Sequence, residues 1–165
     1  MSGIKLLRTI RFDGTDDRVF ALAAQGGEWA VSGAFAFADL AAEALTGRTR
    51  QAFAGGFLGV ESFGRSTFVT VAEAAPSDRD EIVFRLAMHF VARYGAPDIE
   101  AALPSAGEEV AFMASLAADA PINTLLTVHR VLDAGGHIKE QFRTIKPPAS
   151  EPPHARIWKI EPDET

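Results

Sequence analysis

The sequence predicts an α+β fold, a mostly antiparallel sheet with helices packed on one face. Three observations carry this. Several stretches alternate apolar and polar residues at period two, as half-buried strands do. One long stretch, residues 77–94, repeats Ile82, Val83, Leu86, Phe90 and Val91 at helical spacing. The last two strand-like stretches are joined by a short glycine loop, which only antiparallel neighbours allow. Helices gathered on one face of such a sheet give the α+β class. At 165 residues, 47% apolar and 23% charged, the chain has an ordinary globular composition. A single domain is expected over residues 1–146, followed by a proline-rich linker and C-terminal strand or tail over residues 147–165.

The elements follow in order. Residues 4–12 read as a strand with Ile4, Leu6, Ile10 and Phe12 on one face, interrupted by Arg8. Residues 13–17 form a turn cluster, and residues 19–22 are short enough for either a strand or a helical turn. Residues 28–37 read as a strand placing Trp29, Val31, Phe35 and Phe37 in one core, with small residues on the other face. Residues 39–45 and 48–54 have alanine-rich helical composition, stopped by Gly55 and Gly56. Residues 65–73 read as another strand. A helix then opens at Pro76, with Ser77 as N-cap and Asp80 at the capping-box position, and ends at Gly95. Two short helices are expected at 98–103 and 108–118, broken by Pro104 and Ser105.

The final hairpin has a predicted register. Pairing Leu132 with Ile138, Val128 with Phe142 and Leu126 with Thr144 keeps apolar residues together and sets Arg130 opposite Glu140. That register leaves Ala134, Gly135 and Gly136 as a three-residue loop, which wants a left-handed glycine. Residues 146–153 have extended, polyproline-like composition, and residues 156–160 read as a last strand docked at a sheet edge.

Charge and composition exclude several functions. Sixteen basic residues against 22 acidic ones give a net charge of −6, so the basic footprint of nucleic-acid binding is lacking. With no cysteine, thiolate metal sites, disulfides and a cysteine nucleophile are ruled out. The four histidines, at 89, 129, 137 and 154, show no helical zinc spacing. No metal and no cofactor are therefore expected. No stretch approaches the ~20 apolar residues of a membrane helix, and the N-terminus lacks a signal-peptide core, so a cytoplasmic protein is expected.

Residues 59–66, Gly-Val-Glu-Ser-Phe-Gly-Arg-Ser, are one residue from a phosphate-cradling loop. Such a loop must open a helix, yet strand-forming residues follow here, and Glu61 places a negative charge where the anion would sit. A glycine-rich turn entering a strand is the reading that fits. Arg48, Arg50 and Arg65 cluster in this glycine-punctuated region with Glu61. Arginines so placed either bind carboxylate or phosphate through paired hydrogen bonds or are solvated and paired with Glu43 and Glu61. These four residues, Arg48, Arg50, Glu61 and Arg65, are the candidate anion or partner contacts.

Residues 28–37, Leu45-Thr46-Gly47, residues 50–53 and 56–65, residues 94–98 and residues 124–128 together resemble a family of short alphaproteobacterial proteins classed as a domain of unknown function. The resemblance covers most of the chain up to about residue 145 and implies a small bacterial protein, with no catalytic motif. A non-enzymatic binding or accessory protein is the expectation, working as a homodimer or with a partner protein. The alternative is a small enzyme or anion-binding protein with its site in the glycine- and arginine-rich segment 47–66.

Overall fold

The computed structural model describes residues 3–145, so the proline-rich stretch and the strand expected at 156–160 lie outside the described residues. Seven strands form one antiparallel sheet: β1 (Ile4–Ile10), β2 (Trp29–Val31), β3 (Phe57–Gly59), β4 (Arg65–Ser66), β5 (Phe68–Ala74), β6 (Leu125–Leu132) and β7 (Ile138–Ile145). Their spatial order is β4-β3-β2-β1-β5-β6-β7. The helices are α1 (Thr15–Val19), α2 (Gly47–Gly55), α3 (Pro76–Arg93) and α4 (Ile99–Ala118). Among the described residues no helix is long and apolar enough to cross a membrane.

The sheet curls strongly. Strands β1 and β5 separate β2 from β6 in the sheet, yet Ser32, one residue past β2, bonds to Arg130 of β6 and Glu140 of β7. The rings of Phe57 on β3 and Phe142 on β7 lie 6.1 Å apart, although these strands sit near opposite edges. The inner face carries Leu7, Ala30, Val69, Val71, Leu126 and Val128, all buried. Helix α4 lies against this face: Phe112 meets Phe142 edge-on at 5.5 Å, and Lys5 Nζ donates to the Ala120 carbonyl just beyond the helix. Helix α4 presents Ala102, Ala106, Val110, Met113 and Ala117 to the core, and α3 packs on α4.

The hairpin register is as the side-chain pattern predicts: Leu132 pairs with Ile138, Val128 with Phe142, Leu126 with Thr144 and Arg130 with Glu140. Gly136 takes φ +81° in the loop, where a side chain would be strained.

Elsewhere the structure departs from the pattern for identifiable reasons. The strand expected over 28–37 stops at Val31, and residues Ala34–Phe37 form a short 3-10 helix. Gly33 makes the turn at φ +77°, and a Cβ there would lie 2.6 Å from both the Leu58 Cβ and an Arg65 nitrogen. The aromatics therefore do not share one face. Half-buried Trp29 lies under the Arg8 guanidinium, Phe35 meets Phe90 and Tyr94, and only Phe37 is buried, against Phe53. Residues 39–45 form no helix beyond a 3-10 turn at Ala42–Ala44. In β1 the adjacent Leu6 and Leu7 are both buried, so this strand is covered on both sides, while Phe12 is exposed.

The strand expected over 65–73 is two strands, broken at Thr67, whose N–H and hydroxyl both donate to the buried Asp16 carboxylate. The N-cap of helix α3 lies two residues earlier than expected. Ala75 is its N-cap, Pro76 its first residue, and the Asp78 carboxylate accepts the Ala75 N–H at 2.8 Å, so neither Ser77 nor Asp80 has the capping role. Helix α4 runs unbroken through Pro104. Proline forfeits one hydrogen bond there, but the buried stripe from Ala102 to Ala117 continues past it.

Candidate functional site

Two buried arginines, Arg130 and Arg65, meet at the Gly56 carbonyl, where α2 ends. Arg130 follows Val128 on the inner face of β6, so strand alternation sends its side chain into the core, where it is 1% exposed. Its Nε donates to Glu140 Oε2 at 2.8 Å. Its Nη1 meets the carbonyls of Ala52, Phe53 and Gly56, where α2 ends, and its Nη2 meets the backbone and hydroxyl oxygens of Ser32. A helix end offers unpaired carbonyls and the negative pole of its dipole, and Arg130 answers both. Every nitrogen of this guanidinium is engaged, so Arg130 is a structural tie between α2, the β2 end and the hairpin.

Arg65 on β4 lies beside it. Its Nη1 shares the Gly56 carbonyl with Arg130, at 3.2 and 3.0 Å, and its Nη2 donates to the Gly33 carbonyl at 3.2 Å. The Phe37 ring lies under both, its centre 4.7 Å from Arg65 and 5.8 Å from Arg130. Arg65 has no carboxylate partner among the described residues, whereas Arg130 has Glu140. Burial, and then the neighbouring Arg130 charge, push Arg65 down to about 9, so it stays protonated at neutral pH. A guanidinium carries five N–H donors, and two carbonyl contacts leave others free.

This buried cation opens onto a cleft of about 430 Å³. Helix α3 contributes His89 and Arg93, one turn apart on one face, and Tyr94 follows at its end. The β3–β4 turn contributes Ser62 and Phe63, and Leu22 and Leu58 complete the wall. Phe63 takes φ +59° and stacks flat on His89, with ring centres 3.8 Å apart. Burial, followed by Arg93 and Arg65, holds the His89 imidazole below its ordinary value and favours its neutral form. No acidic side chain lines the cleft among the described residues.

The turn that resembles a phosphate loop does hold an anion, supplied by the chain itself. The N–H groups of Glu61 and Ser62 donate to Glu28 Oε1 at 3.1 and 2.9 Å. Ser62 Oγ and the Gln25 N–H donate to its Oε2, both at 2.7 Å. Glu28 is 2% exposed, and a side chain at Gly59 would collide with its carboxylate. The cradle is therefore filled by a buried residue of the chain itself.

The four sequence candidates separate. Arg65 sits at the cleft. Arg48, exposed on α2, lines a smaller adjoining cavity that Arg65 also lines. Arg50 faces a different cavity with His129 and Arg130. Glu61 uses its backbone N–H, and its exposed side chain is not at the cleft. Neither Glu43 nor Glu61 pairs with these arginines among the described residues; Arg65 is held by carbonyls. Sequence reasoning paired Arg130 with Glu140 but did not foresee its burial, and it did not pick out Glu28, His89 or Arg93 as site residues. An arginine on the apolar parity of β6 and a histidine four residues before an arginine on one helix were the available signals.

The profile of the DUF6505 family, described as a family of unknown function, matches residues 4–156. The chain belongs to that family. No curated protein and no solved structure matches it. Membership accords with the resemblance to a domain of unknown function and extends its span to residue 156.

Proposed function

We propose that this protein is a non-enzymatic binding protein for a small organic anion, seated in the cleft between Arg65 and Arg93. One observation carries the reading: Arg65 is a buried cation without a carboxylate among the described residues, at the wall of a cleft that holds a second arginine and no acid. An unpaired buried charge costs several kcal/mol, and a bound anion offsets part of that cost. Leu22, Leu58 and the Phe63–His89 stack give the ligand's body an apolar wall.

Binding rather than turnover is favoured by the state of the cleft's reactive groups. Ser62 spends its hydroxyl proton on Glu28 and accepts the Gly64 N–H at 3.0 Å, and His89 stacks on Phe63. A nucleophile and base poised against each other are absent among these described groups. The resemblance to alphaproteobacterial proteins supports placing the protein in a bacterial cytoplasm.

Calorimetric titration with hexanoate and benzoate, against hexanol and benzamide as neutral controls, tests the proposal. The carboxylates should bind and raise the melting temperature while the neutral compounds do neither. Arg93→Ala should weaken carboxylate binding by about tenfold, the usual worth of a charged hydrogen bond. Equal responses to charged and neutral probes would overturn the reading.

A further inference from the structure

The cleft does not end at Arg65. A smaller cavity of about 170 Å³ adjoins it, and the two share Leu22, Phe63 and Arg65 as common walls. The smaller cavity adds Arg48 and Thr49 of α2 to these walls, together with Phe20 and Phe37. Arg93 on α3 therefore lines one cavity and Arg48 on α2 the other, while Arg65 and the apolar side chains of Leu22 and Phe63 line both. Neither cavity has an acidic wall residue, and Arg48 has no ion-pair partner among the described residues.

Resting on the anion-binding reading above, we infer that the ligand carries an anionic group at each end of an apolar body, one end at Arg65 and Arg93 and the other reaching Arg48. A ligand with one charge leaves the Arg48 end unanswered. A second anionic group tethered to the first pairs with Arg48 at high effective concentration, provided that the body is long enough to span the shared wall. Leu22, at 56% exposed, and Phe63 are the surface that such a body would cover. The Arg48 end is open to water, so the added pairing is modest and sensitive to salt.

Calorimetric titration with linear dicarboxylates from succinate to sebacate, each against the monocarboxylate of equal length, reads this directly. Above a threshold length the diacid should bind about three- to tenfold tighter than its monoacid, the range expected for one partly solvated ion pair. Arg48→Ala, on the exposed face of α2, should abolish that advantage, and Arg93→Ala should weaken both classes. Monoacids that bind while diacids of every length gain nothing, or an advantage that survives Arg48→Ala, would overturn the two-ended ligand and leave the anion site standing. Failure of both classes to bind would sink the anion site and this inference together.

Discussion

Arg130 shows what a single residue can decide. It occupies an inner-face position on β6 that alternation reserves for apolar side chains, and the fold supplies acceptors on every side of it. Removing it would leave Glu140, already close to Glu109, without its counter-charge, and would expose helix-end carbonyls to an apolar core. Glu109 feels this neighbourhood: burial first, and then Glu140, raise its carboxyl above the ordinary value, with Arg130 opposing. Arg130→Ala is expected to cost about 3–5 kcal/mol, the range for breaking one side of a buried ion pair. Urea denaturation followed by circular dichroism measures this, and a loss below about 1 kcal/mol would mean that water replaces the guanidinium without penalty. The sequence made the Arg130–Glu140 pairing legible through the register. Its burial was not, because cross-strand pairing is a local property and the carbonyls that saturate Arg130 come from residues 74 to 98 positions away.

At the scale of elements, legibility followed the range of the forces involved. The β6–β7 hairpin was readable because turn chemistry and side-chain alternation are both local and agree. Helix α3 was readable because its apolar stripe and its glycine stop, Gly95 at φ +79°, lie within the segment itself. The stretch from residue 28 to 37 failed because its alternation was real but Gly33 turned it, and what makes glycine necessary at that turn, the closeness of Leu58 and Arg65, belongs to a different part of the chain. Helix α4 failed in the opposite direction, since tertiary burial of its alanine stripe outweighed one proline. The hairpin loop yields a test at this scale. Gly136 has φ +81° with open space around it, so only backbone strain opposes a side chain there. Gly136→Val should destabilise the protein by about 1–2 kcal/mol, while Gly136→Asn should cost less because asparagine tolerates the left-handed region. Equal melting temperatures for the valine and asparagine variants would show that the loop reorganises at no cost.

The whole molecule is defined by its curl and by its two sheet edges. The β4 edge is short and covered: the Arg65 N–H donates to the Leu22 carbonyl, and the Ala24 N–H donates to the Arg65 carbonyl. The β7 edge is different. It runs for eight residues, with β6 as its one strand neighbour among the described residues, and Val131 and Ile145 are exposed beside it. A long strand edge that is unpaired among the described residues is a template for further pairing, and Lys139 and Arg143, exposed on this strand, are charges of the kind that keep such pairing from propagating. We therefore propose a closed two-fold dimer built on β7, the commonest oligomer geometry, in which each copy covers the other's edge. A stable interface needs more than ~1,000 Å² of total buried surface, which an eight-residue strand pair reaches only with flanking contacts such as those exposed side chains offer. Light scattering at micromolar concentration should return twice the chain mass, and added salt should strengthen the association by screening the edge cations. Removing the residues after Pro153 separates two ways of covering the edge. A dimer that survives this truncation is built by β7 itself, and one that dissociates depends on the segment around Trp158. A monomer mass for the full chain would overturn the dimer outright.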